Sequence, residues 1–165
     1  VLVVDANVVV EVTLERFGAQ ALDTLSDEQL VAPWLLWSEV PAALSAMIFR
    51  AEVSRELGEA ALARLDTINV EPRHPKGLIA EAWRIAKERG WAKTYDAEYL
   101  ALAQLLDCRL VTLDGPLWRA TRQLGYVVTP EELKAHTEEP PAASDEPSAG
   151  DSTTEPAPSD RAPAD

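Results

Sequence analysis

Residues 1–4, Val-Leu-Val-Val, form an unbroken apolar run that stops at Asp5, the pattern of a strand buried on both faces. Phe17, Ala21, Leu22 and Leu25 recur at helical spacing and predict a helix over 17–25. A short strand is predicted over 30–33. Ser38 offers an N-cap, so a helix is predicted from 39 to about 52, with Pro41 tolerated in its first turn. A second helix over 56–65 and a short strand over 68–71 follow. Residues 78–89 read as a helix stopped by Gly90, and Thr94 as the cap of a helix to about 106. Strand 109–113, helix 117–124 closed by Gly125, and strand 126–129 complete the series. Pro130-Glu131-Glu132 opens a last short helix, with proline and acids where a helix N-terminus favours them. Strands separated by one or two helices predict an α/β fold with a central, mostly parallel sheet covered on both faces.

That alternation ends near residue 136. From Thr137 onward no Leu, Ile, Val, Met, Phe, Tyr, Trp or Cys occurs, and six of the twelve prolines lie there. Such a segment cannot bury enough apolar surface to offset its ordering entropy, which predicts a folded domain over 1–136 and a disordered tail over 137–165. The tail is read as solvated and functionally neutral, with a tether or an RNA mimic as the alternative. The whole chain has 165 residues, 47% apolar and 26% charged, in keeping with one domain.

Charge narrows the chemistry. The net charge is −13, with eight acids against two bases from Lys134 onward, so about half of the excess belongs to the folded part. Coating DNA or an anionic membrane by bulk charge is excluded. One cysteine, Cys108, rules out an internal disulfide and a cysteine-based zinc site, and two histidines rule out a multi-histidine metal site. No apolar run approaches a membrane span and no basic leader precedes the first strand, so a cytoplasmic protein is expected. Any metal would be a hard cation held by oxygen.

Ligand chemistry in open α/β sheets gathers at the carboxyl ends of the strands. Asp5 and Asp114 follow predicted strands, while Glu39 and Asp96 fall in the first turns of predicted helices. Singly, each has an ordinary reading as a turn cap or a complement to the helix dipole. Together, carboxylates near one sheet edge repel and raise each other's pKa unless a cation neutralises them. No arginine adjacent in sequence pairs with Asp5 or Asp114. Oxygen ligation selects Mg²⁺, with Mn²⁺ as substitute. Such a site activates water against a phosphodiester. Asn7 and Thr112, two residues from Asp5 and Asp114, are the supporting polar candidates. Strand geometry would turn Thr112 the same way as Asp114, to hold a carboxylate or a phosphate.

Val-Val-Asp-Ala-Asn at 3–7, Ser-Glu-Val at 38–40, Tyr-Asp-Ala-Glu-Tyr-Leu-Ala-Leu-Ala at 95–103 and Leu-Val-Thr-Leu-Asp at 110–114 resemble PIN-domain ribonucleases. The subgroup most similar is that of the VapC toxins of type II toxin–antitoxin modules. The resemblance spans about residues 1–133. It implies an α/β/α sandwich and Mg²⁺-dependent endoribonuclease activity on structured RNA. Asp5, Glu39, Asp96 and Asp114 match the family's acidic quartet, and Asp5 and Asp96 its direct Mg²⁺ ligands. Glu39 and Asp114 would then position metal-bound waters or help a second ion, with Asn7 and Thr112 in support. A homodimer and inhibition by a cognate VapB-type antitoxin are also implied.

Partner surfaces are legible as well. The segment 40–49 is nearly apolar all round and follows Trp34, Leu35, Leu36 and Trp37. It is either a central core helix or one covered by a second copy or an antitoxin helix. Arg84, Lys87, Arg89, Lys93, Arg119 and Arg122 could form a basic rim for RNA, though Arg84 and Lys87 fit a solvated helix face equally well. Trp91 and Trp118 could stack on bases, or pack. Two other functions compete: a non-catalytic module binding an antitoxin or RNA, and a small-molecule phosphatase with Asp5 as nucleophile. The latter's usual Asp-x-Asp is absent, since residue 7 is Asn.

Overall fold

Five short strands form one sheet, β1 (Leu2–Val4), β2 (Leu30–Ala32), β3 (Val70–Pro72), β4 (Arg109–Val111) and β5 (Val127–Val128), in the order β3-β2-β1-β4-β5. The structure is a computed structural model that describes residues 1–18, 23 and 25–138. Every strand pair is parallel, and the central strand aligns Leu2 with Leu30 and Val4 with Val111. Val3, Val4, Val31, Leu110 and Val111 are fully buried, as expected of a sheet covered on both faces.

Between strands run α1 (Ala6–Thr13), α2 (Leu36–Phe49), α3 (Arg55–Leu65), α4 (Leu78–Glu88), α5 (Tyr95–Leu105) and α6 (Gly115–Thr121), and α7 (Pro130–Glu138) follows β5. α1 packs with α2 and α3, α4 with α5, and α5 against β1 and β4. From β1 the chain steps outward to β2 and β3, then returns across the sheet to β4 and β5. Right-handed crossovers therefore place the first three helices on one face and α4 to α6 on the other. The direction reverses between β1 and β4, and the crevice at such a switch point is where α/β sheets bind ligands. Asp5 sits at its mouth: its N–H bonds the Val111 carbonyl at 3.1 Å, at the end of both strands.

Several boundaries differ from the sequence reading. The pattern predicts no element over 6–13, because Val8, Val9, Val10 and Val12 are stiff, β-branched and poor helix formers. A helix forms there because burying Val8, Val9 and Val10 outweighs propensity. Ser38 does not cap α2. The helix starts at Leu36, three residues earlier than predicted and behind Leu35, which leaves Pro41 inside it. Thr94 stands at the N-cap of α5 without making a side-chain cap bond. Strand pairing of β4 stops at Val111, and Asp114 starts α6 earlier than predicted; a 3₁₀ turn over Arg122–Leu124 then ends at Gly125 with φ +79°. Gly90, at φ +68°, ends α4 as expected.

The predicted helix over 17–25 lies largely on 19–22 and 24, outside the described residues, as does 139–165 of the predicted tail. α7 carries the folded part to Glu138, two residues beyond the predicted boundary. No helix among the described residues is long and apolar enough to cross a membrane.

Candidate functional site

Asp5 occupies the N-cap of α1 in extended conformation, yet its side chain makes no cap bond across the first turn. The carboxylate is spent elsewhere. Thr112 Oγ1 donates to Asp5 Oδ2 at 2.6 Å, and Asn7 Nδ2 donates to the same oxygen at 2.9 Å. Asn7 Nδ2 also approaches Thr112 Oγ1 at 3.3 Å, while Asn7 Oδ1 accepts the Leu113 N–H at 3.0 Å. Thr112 Oγ1 accepts the Asp114 N–H at 2.9 Å, so its one donor and both lone pairs are used. α1 thus supplies Asn7 from its first turn, and the segment after β4 supplies Thr112. The switch point brings the two together across 105 residues of chain.

Glu39 reaches the same edge from the first turn of α2, where Tyr99 Oη donates to its Oε2 at 2.7 Å. Asp96 opens α5 at the more open rim. Burial raises the Asp5 pKa from 3.8 to about 6; the Thr112 bond opposes this, and the Asp96 charge adds to it. Glu39 is raised by burial, then by Asp5, Asp96 and Glu98, against the Tyr99 bond. Asp96 is raised by partial burial and then by Asp114, with Lys93 opposing. Asp5, Glu39 and Asp96 therefore feel one another at one edge, and Asp96 also feels the Asp114 charge. None makes an ion pair among the described residues.

One prediction needs correction. Thr112 still donates its N–H to the Val128 carbonyl at 3.0 Å and turns its hydroxyl to Asp5, whereas Asp114 lies beyond the strand and caps α6 by accepting the Leu117 N–H on Oδ1 at 2.7 Å, so strand alternation does not set their directions. Among the described residues, moreover, no three of His, Cys, Asp and Glu close around one point tightly enough to hold an ion on their own. The acids share an edge, and they do not make a ready cage.

The rim is less basic than the sequence suggested. Arg84 is held by Glu81 and by Glu88, the solvated-face reading of its helix, and Lys87 lies over Trp83. Arg89 covers Trp91 and donates to the Ala120 carbonyl; Arg122 covers Trp118, whose Nε1 donates to Glu132 at 2.9 Å. Both tryptophans serve packing. Lys93 lies over Tyr95 and its charge acts on Asp96. Sequence reasoning gave Tyr99 no role. Its signal was spacing, since Tyr99 follows Asp96 by three residues and shares its helix face.

Residues 2–122 match the PIN domain family. The chain belongs to the PIN-domain family. A VapC ribonuclease of Mycobacterium bovis is 33% identical over 113 residues, spanning 68% of this chain and 85% of that protein. Ribonuclease VapC1 of Mycobacterium tuberculosis is 38% identical over 120 residues, spanning 70% and 86%. Among solved structures, PAE2754 from Pyrobaculum aerophilum matches with a TM-score of 0.61 at 24% identity, over 82% of this chain and 94% of that one. A toxin–antitoxin complex from Klebsiella pneumoniae matches with a TM-score of 0.54 at 20% identity, over 79% and 98%. At those identities the structural likeness is one of fold. The predicted α/β/α sandwich around a parallel sheet is the PIN fold this chain has.

Proposed function

We propose that this PIN domain is a metal-dependent endoribonuclease, the toxin of a VapBC-type toxin–antitoxin pair acting in the cytoplasm. The observation that carries the reading is Asp5: an acid at a helix N-cap, turned away from the cap into a buried network with Asn7 and Thr112. Similarity to VapC ribonucleases over most of the chain supports it.

The donor set suits a hard divalent cation. It is all oxygen, it is short of counter-charge, and its acids raise one another. Mg²⁺ takes one or two carboxylates directly and keeps several waters, so three converging acids are not required. Asp5 and Asp96 would hold Mg²⁺ or Mn²⁺, with Glu39 and Asp114 at its periphery. When bound, the ion supplies charge neutralisation at a phosphodiester and a more acidic water. Asn7 and Thr112 fix Asp5 Oδ2, which leaves Oδ1 without a side-chain donor. Lys93 offsets negative charge at the rim and would favour an RNA phosphate there.

An antitoxin and a second copy of the chain are the proposed partners. The likeness to a toxin–antitoxin complex supports the first. α2 supports a cover from outside: it buries Leu36, Val40 and Leu44, while Phe49 at its end and Trp34 before it are exposed.

The test is cleavage of an RNA pool by purified protein. Cutting should require Mg²⁺ or Mn²⁺, stop in EDTA, and fall by orders of magnitude in Asp96→Asn. Equal cutting in EDTA, or an unaffected Asp96→Asn, would overturn the reading. The alternative is a non-catalytic module. Tight antitoxin or RNA binding without metal-dependent cleavage would select it.

A further inference from the structure

Tyr99 is the largest side chain in the fully buried core, and a buried phenol needs a hydrogen-bond acceptor. Tyr99 could have met a backbone carbonyl. Instead it crosses from α5 to α2 and donates to Glu39 Oε2 at 2.7 Å. Among the described residues no other side-chain donor reaches Glu39. A glutamate in a first helical turn has three rotatable bonds, and held by nothing it would sample several rotamers. The ring of Tyr99, locked in the core, removes that freedom. Tyr99 also lies one turn beyond Asp96 on α5, so the element that presents one acid clamps another.

We infer that Tyr99 is a positioning residue: its hydroxyl pins Glu39 Oε2 so that Oε1 is presented to the acidic edge, tying α2 to α5 across the site. This rests on the proposed metal-dependent nuclease and deepens it. The consequence is geometric. Without the hydroxyl the Glu39 carboxylate is free to swing away, and the cation loses a preset oxygen at its periphery, while the phenyl ring still fills the core.

The test uses the full chain and Mn²⁺ alone, titrated calorimetrically or by electron paramagnetic resonance, alongside RNA cleavage. Tyr99→Phe should weaken Mn²⁺ binding roughly tenfold, the scale of lost outer-shell support, and lower kcat by a similar factor with KM for RNA unchanged. In a Glu39→Ala background, Tyr99→Phe should add less than about twofold, since the clamp then has nothing to hold. The inference is overturned if Tyr99→Phe binds Mn²⁺ like the wild type while its melting point falls. It is equally overturned if the two substitutions weaken binding additively. Wild-type protein that binds no Mn²⁺ and cuts no RNA refutes the nuclease reading itself, and this inference with it. Wild-type activity with an indifferent Tyr99→Phe refutes the inference alone.

Discussion

Asp5 and Asp114 both stand immediately before a helix, and their side chains do opposite things. Asp114 accepts the Leu117 N–H across the first turn of its helix; Asp5 makes no such cap bond and accepts Thr112 and Asn7 side chains. The difference has a thermodynamic signature. The folded-state pKa of Asp5, about 6, exceeds the ordinary 3.8, so the folded chain holds that proton more tightly than the unfolded one. This stability is full below about pH 4 and is lost as pH rises through 6. Glu39 and Asp96, also raised, act in the same sense. Metal-free Asp5→Asn should therefore melt higher than wild type at pH 7.5, by roughly 2–3 kcal/mol at most, and the advantage should vanish near pH 4. Paired thermal melts check this. Thr112→Val strands the Asp114 N–H and one Asn7 donor, which should cost about 1–3 kcal/mol and most of the activity; Thr112→Ser should restore both, as melting points and cleavage rates will show.

At the scale of elements, Asp114 can be separated into a cap and a charge. Asp114→Asn keeps a side-chain oxygen for the Leu117 N–H, while Asp114→Ala loses it. Denaturant unfolding should find Asp114→Ala destabilised by about 1 kcal/mol and Asp114→Asn nearly neutral, with cleavage reduced in both. Helices ending at a glycine were legible, because Gly90 and Gly125 adopt a positive φ that other residues resist. Helix starts were less so. Ser38 has the chemistry of a cap, but α2 begins at Leu36 because burying Leu36, Val40 and Leu44 on one stripe decides where the helix lies. α1 escaped detection for the same reason: its valines suggest strand locally, and only the neighbouring α2 and α3 give them a helical environment.

At the scale of the molecule, the site is a product of topology. Asp5 and Thr112 meet because β1 and β4 are neighbours whose flanking connections diverge. A cation binding there acts only on the folded chain and should raise its stability by mass action. At a hundredfold excess over Kd the gain is about 2.7 kcal/mol. Thermal melts of wild-type protein should thus rise with Mn²⁺ and fall back on EDTA addition, and Asp5→Asn should lose most of that response.

Composition and local pattern alone determined that this chain is an α/β protein with a parallel sheet, that one cysteine and two histidines leave oxygen as the main ligand atom it offers, and which acids stand at the ends of elements. Those features follow from side-chain periodicity and residue type, which act over a few neighbours. Where the carboxylates point was decided only by the tertiary structure. Asp5 turns to Thr112, Glu39 to Tyr99 and Asp114 to its own helix because each takes the best donor within reach, and two of those three donors lie 60 or more residues away.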